Sequence, residues 1–197
     1  MTMHINTAAF ENPTAAFAIR HECASDVAAR EALLDACFGD NRHARTCQKL
    51  HDGRAPAEGL AFTATHQGRV VGTLRLWHVD AGGVAALVLG PLAVDASVRT
   101  LGIGAALMNH AIAAATLRSR SSTEPGAIVL LGDAPYYARF GFSPAKMADL
   151  ALPGPFERDR LLGLELRDGA LDGAAGLIVP TGRKARVHAP RALRRAA

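Results

Sequence analysis

A glycine-bearing turn between a buried strand and a helix is the feature that most constrains this chain. From residue 99 to residue 107 the sequence reads RTLGIGAAL. The run from 85 to 94 is apolar and rich in strand formers, and the run that follows the turn has helical character to about residue 117. Such a turn aims several backbone N–H groups and the positive end of a helix dipole at one point. The sequence therefore predicts a site for a phosphate-bearing ligand.

Three kinds of phosphate-binding turn compete for this stretch. A dinucleotide turn of the G-x-G-x-x-G type needs a third small residue where this chain has Leu107. A nucleotide-triphosphate loop ends in Gly-Lys-Ser/Thr, and no lysine follows Gly104 before Lys146. The remaining kind begins with Arg or Gln, followed by two residues and Gly-x-Gly/Ala. Arg99, Gly102 and Gly104 fit that spacing.

This third pattern resembles motif A of the GNAT acyl-CoA N-acyltransferases, in which the turn holds the pyrophosphate of coenzyme A. The preceding strand end, residues 90 to 94, is similar to that family as well. The resemblance implies that acetyl-CoA is a co-substrate. It also implies a set of coenzyme-binding residues on the strand end and the turn: Leu92, Ala93, Val94, Arg99, Thr100, Leu101, Gly102, Ile103, Gly104 and Ala105.

A second segment resembles motif B of the same family. Tyr137 is followed by three residues and then by Gly141-Phe142, after a short apolar run from 127 to 131 that reads as a buried strand. In many members this tyrosine protonates the leaving thiolate of coenzyme A, and a phenol with an ordinary pKa near 10 is protonated at neutral pH. Tyr137 is therefore the candidate catalytic residue. Tyr136 points about 100° away around the helix, which predicts that it lines the acceptor pocket or the core.

The resemblance covers about residues 16 to 180 and implies an α/β (α+β) chain with the GNAT fold. That fold has a mixed, mostly antiparallel sheet that is flanked by helices and splayed after the fourth strand. The predicted order is a strand (16–21), two helices (to about 51), three strands (60–66, 69–79 and 85–94), a helix, a strand (127–131), a short helix and a further strand. Gln67-Gly68 predicts a tight hairpin turn.

The predicted domain organisation has four parts. Residues 1–15 are a loosely ordered N-terminus, 16–150 the acetyltransferase core, 151–180 a C-terminal extension of the kind found in a bacterial subgroup, and 181–197 a disordered basic tail. The tail holds six cations and no acid, and without it 16 basic residues face 18 acidic ones, a net charge of −2. A solvated tail is favoured over a nucleic-acid contact, for which strongly salt-dependent binding would be the sign.

The reaction implied is direct attack of an amine on the thioester of acetyl-CoA, with both reactants bound together. The base is open between His78, Glu58, Asp133 and water. The acceptor is also open, from small amines to a peptide or a lysine. A non-catalytic acyl-CoA-binding sensor is the alternative function, and the presence of Tyr137 favours the enzyme.

Further expectations come from residue spacing and composition. His43, Cys47 and His51 are spaced by four along a predicted helix of residues 42–51, but the outer pair would lie about 12 Å apart along the axis, too far for one ion, so no metal is expected. In the resembled family this helix borders the acceptor site, which implies that these side chains line the pocket instead. The three cysteines fit free thiols in a reducing cytoplasm. No apolar run suggests a membrane span, and a monomer or a homodimer is expected.

Overall fold

One open sheet organises the protein, whose computed structural model describes residues 16–185. Within that range there are nine strands and three α-helices, joined by 3₁₀ turns. The strands are β1 (Ala18–His21), β2 (Ala61–His66), β3 (Arg69–Ala81), β4 (Ala85–Leu89), β5 (Ala93–Val94), β6 (Ala127–Leu131), β7 (Leu150–Ala151), β8 (Leu161–Glu165) and β9 (Gly176–Pro180). The α-helices are α1 (Val27–Phe38), α2 (Ile103–Ser119) and α3 (Ala134–Ala138).

The sheet is mixed and mostly antiparallel, as the sequence predicts. Its main order is β1-β2-β3-β4-β6-β8; β5 and β9 also pair with β3, and β7 pairs with β9. Only β4 with β6 and β7 with β9 run parallel. The tight turn between β2 and β3 is confirmed, since Gln67 has φ 49° and Gly68 has φ 74°, both left-handed as a primed hairpin turn requires.

The continuous strand predicted for residues 85–94 is wrong. It is interrupted at Gly90, Pro91 and Leu92, and only β5 resumes pairing, with β3 rather than with β6. Pro91 has no N–H to give to a ladder, and the Gly90 carbonyl accepts a hydrogen bond from the Trp77 indole Nε1 at 2.6 Å. The ends of β4 and β6 separate here, which is the splay expected after the fourth strand.

The helix predicted for residues 42–51 is also wrong. Two 3₁₀ turns, Asp40–Ala44 and Thr46–Leu50, take its place, with Arg45 extended between them (φ −68°, ψ 144°). The extended residue breaks the regular repeat, so the spacing of His43, Cys47 and His51 does not place them on one helical face. His43 is exposed, whereas Cys47 and His51 are half-buried.

The position of α2 is set by close packing on β3. Gly72 faces the helix, and a Cβ there would lie 2.9 Å from Ile103 Cγ2 and 3.0 Å from Leu107 Cδ1. Ile103 and Leu107 are fully buried. In a dinucleotide-binding fold, the small residue at this contact lies on the helix. Here the small residue is Gly72 on the strand, and Leu107 of the helix fills the space next to it. This contact fixes the N-terminus of α2 beside the end of β5.

Two apolar layers cover the sheet. The layer under α2 includes Phe62, Leu74, Leu107 and Leu130, and the layer on the opposite face includes Trp77 and residues of the C-terminal segment. That segment packs on the core through β9, which pairs with the end of β3. None of the helices in residues 16–185 combines the length and the apolar character needed to cross a membrane.

The start of the predicted basic tail is attached to the body. Ala55 N–H donates to the Arg183 carbonyl at 2.8 Å, and Ala185 N–H donates to the Gly53 carbonyl at 2.8 Å. Residues 181–185 thus pair with the loop at 53–55 because both segments offer free backbone groups. The predicted N-terminal segment 1–15 and the tail residues from 186 onward lie outside the described residues.

Candidate active site

The predicted phosphate turn has the geometry of an anion site. Gly102 adopts the left-handed conformation (φ 75°) immediately before α2, which a residue without a side chain adopts at little cost. The first helical bond runs from Ala106 N–H to the Gly102 carbonyl at 3.0 Å. The N–H groups of Ile103, Gly104 and Ala105 precede that bond and point out of the helix end. These donors and the helix dipole favour a negatively charged group.

A cavity of about 510 Å³ opens in front of these donors, and we call it the coenzyme cavity. It is lined by eight of the ten residues predicted to bind the coenzyme: Leu92, Ala93, Val94, Arg99, Thr100, Gly102, Gly104 and Ala105. The side chains of the other two, Leu101 and Ile103, do not line it. Leu101 is 36% exposed, and Ile103 is buried in the core under α2.

Arg139 is a cavity residue that the sequence analysis missed. It lines the coenzyme cavity, and its guanidinium lies 4.0 Å from the centroid of the Tyr136 ring. The cavity wall has two arginines, Arg99 and Arg139, and no Asp or Glu. Cation–aromatic stacking at this distance holds the guanidinium in place. The position of Arg139 two residues before the Gly141-Phe142 pair of motif B was the available signal.

A second cavity of about 840 Å³ adjoins the first, and we call it the acceptor cavity. The two cavities share three wall residues, Phe38, Leu92 and Tyr136. Its floor is the splayed region of the sheet, residues 88–92 and 131–133. Its other walls come from the end of α1, the 3₁₀ turns at 40–50 and the loop at 155–160. Two ligands can therefore meet at Leu92.

Tyr137 lines the acceptor cavity beside the splayed strands. A Cβ on Gly132 would lie 2.2 Å from Tyr137 Cε2, so the ring occupies space that only a glycine leaves open. Burial raises the pKa of the Tyr137 hydroxyl to about 12, because a desolvated phenolate is unfavourable. The hydroxyl is therefore protonated throughout the neutral range and is able to donate a proton or a hydrogen bond.

Tyr136 occupies the junction of the two cavities, which refines the prediction of a pocket or core position. Its hydroxyl lies 3.1 Å from the place that a Cβ on Gly104 would take, at the start of α2. Its ring meets Tyr137 edge to face, with centroids 5.0 Å apart. The two adjacent tyrosines thus differ in position, since the Tyr136 hydroxyl approaches the turn and the Tyr137 side chain lines the acceptor cavity.

Two of the three predicted base candidates line neither cavity. Half-buried His78 lies near the charges of Arg118 and Glu124, and exposed Glu58 lies beside Gly59, whose neighbour is the Arg118 guanidinium. Arg118 is fifteen residues beyond Ile103 on α2, or about 22 Å along the helix. Side-chain alternation along β3 turns His78 to the sheet face under α2, away from its neighbour Trp77 and from His51. Among the three side chains, only Asp133 lines the acceptor cavity.

His51, one of the three residues weighed as metal ligands or as lining of the acceptor pocket, is a residue of the acceptor cavity. It lines the acceptor cavity and stacks on Trp77, with ring centroids 4.8 Å apart and an interplanar angle of 19°. Burial lowers its pKa from 6.5, so the imidazole is neutral at pH 7 and is able to accept a proton. Within residues 16–185, no group of three or more His, Cys, Asp or Glu side chains is arranged to hold a metal ion.

Gly104→Ala is expected to weaken coenzyme binding without lowering thermal stability. The added methyl would enter the coenzyme cavity 3.1 Å from the Tyr136 hydroxyl, while alanine stabilises a helix by up to about 1 kcal/mol relative to glycine. We expect the Kd for coenzyme A to rise about tenfold and thermal stability to be unchanged or higher. Calorimetric titration and thermal unfolding measure the two quantities.

Asn109→Ala is the matched control for this prediction. Asn109 is exposed on α2 and lines neither cavity, yet its replacement also raises helix propensity. The Asn109→Ala variant should bind coenzyme A with the same affinity as the parent protein. Unchanged affinity in Gly104→Ala would contradict the placement of the coenzyme at this turn.

Comparison with known proteins identifies clear relatives. A family profile described as the acetyltransferase (GNAT) domain matches residues 57–144. The uncharacterized N-acetyltransferase YhbS of Escherichia coli K12 is 32% identical over 162 residues, which cover 81% of this chain and 93% of YhbS. The crystal structure of E. coli YhbS in complex with CoA has a TM-score of 0.70 at 29% identity, covering 86% of this chain and 92% of that one.

A second solved structure is similar over most of its length. The GNAT family acetyltransferase of Brucella melitensis, in complex with acetyl-CoA, has a TM-score of 0.53 at 26% identity. The match covers 79% of this chain and 98% of that one. The segment matched by the family profile contains both the turn at 99–105 and the tyrosine motif at 137–142.

Proposed function

Because the chain belongs to the GNAT family of acetyltransferases, we propose that it transfers the acetyl group of acetyl-CoA to a primary amine by direct attack in a ternary complex. The observation that carries this proposal is the pair of cavities that meet at Leu92. One has the donors and cations that a pyrophosphate needs, and the other has a protonated tyrosine. Holding both reactants together supplies much of the rate through their orientation.

The coenzyme is proposed to lie along β5 with its pyrophosphate at the N-terminus of α2. One edge of β5 pairs with β3, while the residues of β5 also line the coenzyme cavity. Backbone groups of Leu92, Ala93 and Val94 are therefore placed to bind the pantetheine arm. Arg99 and Arg139 would neutralise the phosphates. The CoA and acetyl-CoA held by the two similar structures support this assignment.

The proposed reaction forms a C–N bond and breaks the C–S bond of the thioester. The amine nitrogen attacks the carbonyl carbon, and a backbone N–H of the 92–94 segment stabilises the oxyanion of the tetrahedral intermediate. On collapse the sulfur leaves, and Tyr137 donates to it. The proton released by the amine passes to a base in the acceptor cavity.

We propose His51 as that base. Its ring stacks on Trp77, the residue that holds the Gly90 carbonyl at the splay. Imidazole is a stronger base than a carboxylate and is unprotonated at neutral pH here. Asp133 also lines the cavity and is the alternative. The charges that act on His51 are those of Asp52, Arg42 and His43.

The pH profile of variants is expected to identify the base. In the parent protein, kcat/KM should fall at acidic pH with an apparent pKa below 6.5, because protonation removes the base. His51→Gln should lower kcat about 10²-fold at pH 7 and abolish this acidic limb. His78 is another half-buried histidine with a lowered pKa. His78→Gln should leave kcat at pH 7 and the acidic limb unchanged. Loss of the limb in Asp133→Asn alone would assign the base to Asp133.

Release of free thiol from acetyl-CoA, measured across a panel of amines, tests the proposed function. We expect thiol release that depends on one class of amine and a product heavier than the acceptor by one acetyl group. Calorimetry with acetyl-CoA is the companion measurement. Binding without turnover of any amine would favour the acyl-CoA sensor, and absence of binding would contradict both functions.

A further inference from the structure

The wall of the acceptor cavity has three arginines and two carboxylates. Its charged wall residues are Arg42, Arg45, Arg160, Asp133 and Glu157. Arg42 is already neutralised outside the cavity, since its Nε donates to Asp35 Oδ1 at 2.6 Å and its Nη2 bonds to Glu31. Its side chain is only 11% exposed, so Arg42 is a structural residue. Arg45 and Arg160 remain, and the two carboxylates of the cavity, Asp133 and Glu157, are both exposed.

Arg45 and Arg160 are both available to a ligand. Within residues 16–185 Arg45 has no carboxylate partner, and its guanidinium lies 5.0 Å from the centroid of the Phe38 ring. Arg160 Nη1 lies 3.4 Å from Glu157 Oε1, and these two side chains are 47% and 77% exposed. An ion pair so long and so exposed contributes little and is easily exchanged. Both guanidinium groups can therefore turn to an anion in the cavity.

The two arginines come from different segments and face the same part of the wall. Arg45 lies between the two 3₁₀ turns, and Arg160 ends the turn before β8. Burial raises the pKa of the Cys47 thiol, whereas the positive charges of both arginine side chains lower it. Burial also raises the pKa of the Tyr137 hydroxyl, and the charge of Arg160 lowers it by less. The cationic patch, Arg45 with Arg160, thus flanks Cys47 and extends to the proposed acid.

The patch is separate from the coenzyme site. The coenzyme cavity has its own cations, Arg99 and Arg139, and neither Arg45 nor Arg160 lines it. The phosphates of the donor therefore do not account for the patch. Guanidinium groups bind carboxylate and phosphate oxygens through two parallel N–H bonds, so the patch suits an anionic group on the other substrate.

We propose that the acceptor is an amine that also carries a carboxylate or phosphate group, and that Arg45 and Arg160 bind this anionic group. The proposal rests on the proposed acetyl transfer, since it names the substrate class of that site. The anion would lie beside Cys47 while the amine reaches the thioester at the splay. Neutral amines and polyamines would be poor substrates because they offer the two guanidinium groups no anion to bind.

Matched pairs of amines test the proposal. In the carboxylate arm, individual L-amino acids are compared with their own carboxamides; in the phosphate arm, O-phosphoethanolamine is compared with ethanolamine. We expect kcat/KM to be at least tenfold higher for the anionic member in one arm, which also tells carboxylate from phosphate. Equal or better turnover of the neutral members in both arms would overturn the proposal.

Arginine variants add a second readout. Arg45→Gln and Arg160→Gln should each lower kcat/KM at least tenfold for the anionic substrate and leave the neutral partner nearly unchanged. Arg120→Gln, which removes the same charge from an exposed residue outside both cavities, should have no effect. An equal loss for both members of a pair would mean that the arginines serve the fold rather than the anion.

The test remains decisive if no amine in the panel is turned over. Binding of the same pairs to the protein saturated with coenzyme A can be measured by calorimetry. Tighter binding of an anionic member, lost in Arg45→Gln, would support the patch; equal binding of both members would overturn it. Failure of the protein to bind acetyl-CoA would instead count against acetyl transfer, so the two failures are distinguishable.

Discussion

Replacing Tyr137 with phenylalanine is expected to lower kcat about 10²-fold with little change in the KM for acetyl-CoA. The ring that packs against Gly132 is kept, so the fold and the cavity should survive. Only the donor to the leaving sulfur is lost, and a thiolate in a desolvated site is a poorer leaving group than one in water. Steady-state rates of thiol release measure the effect.

The pH dependence of the parent protein gives a second check on Tyr137. Because burial raises the pKa of this hydroxyl to about 12, it stays protonated from acidic to mildly alkaline pH. Ionisation of the tyrosine should therefore cause no alkaline fall in kcat below about pH 11. A fall centred near pH 10 that disappears in Tyr137→Phe would show that the hydroxyl is solvated and not held as the structure indicates.

Tyr136→Phe is the matched control. The Tyr136 hydroxyl approaches the turn at Gly104 rather than the splay, so its loss should affect the KM for acetyl-CoA more than kcat. If Tyr136→Phe abolished turnover while Tyr137→Phe remained active, the acid would be Tyr136. That outcome would contradict the role inferred from the tyrosine spacing.

Glu22→Gln is expected to reduce the free energy of unfolding by about 3–5 kcal/mol. The Glu22 side chain is 10% exposed and joins three elements. It accepts hydrogen bonds from Arg30 of α1 and from Arg75 of β3, whose Nε lies 2.7 Å from Glu22 Oε2. A neutral amide would leave the charge of Arg75 without a carboxylate and weaken the pairing of Arg30. Urea unfolding measures the loss.

Glu58→Gln is the control for this prediction. Glu58 is exposed and forms no ion pair in the described part of the chain, so the change in stability should stay within about 0.5 kcal/mol. The same variant should keep full activity, since Glu58 lies away from both cavities. A loss below 1 kcal/mol in Glu22→Gln would show that the arginines find other partners or water.

The ion pairs of Glu22 with Arg30 and Arg75, which we call the Glu22 network, also support the walls of the site. Through Arg30 it ties α1 to β1 and β3, and α1 carries Leu34 and Phe38 into the cavity walls. Phe38 is shared by both cavities and is the residue on which Arg45 stacks. Loosening of α1 is therefore expected to weaken both coenzyme binding and the cationic patch. The network is a scaffold for the site, although no member of it is proposed to react.

The two glycine-bearing turns could be predicted from the sequence because each depends on only a few consecutive residues. The glycine at 102 has to adopt a positive φ and the helix has to begin after it, whatever the rest of the chain does. The hairpin at Gln67-Gly68 depends on two residues in the same way. Pro91 was a local signal for the interrupted strand at 90–92, although the Trp77 contact that holds Gly90 there is not local. The 3₁₀ turns at 40–50 were missed, and Thr46 in the second of them donates to the distant Pro155 carbonyl at 2.5 Å.

The sequence by itself determined the fold family and the turn that is proposed to bind the donor, since each depends on residues that are neighbours along the chain. Tertiary structure alone decided which ionisable groups share the acceptor cavity. Side-chain alternation along the 13-residue strand β3 turns His78 to the sheet face under α2, away from the acceptor cavity. Packing of the 40–50 and 155–160 segments brings His51, Arg45 and Arg160 to one wall. The acceptor is therefore inferred from residues more than 100 positions apart, whose proximity no local pattern encodes.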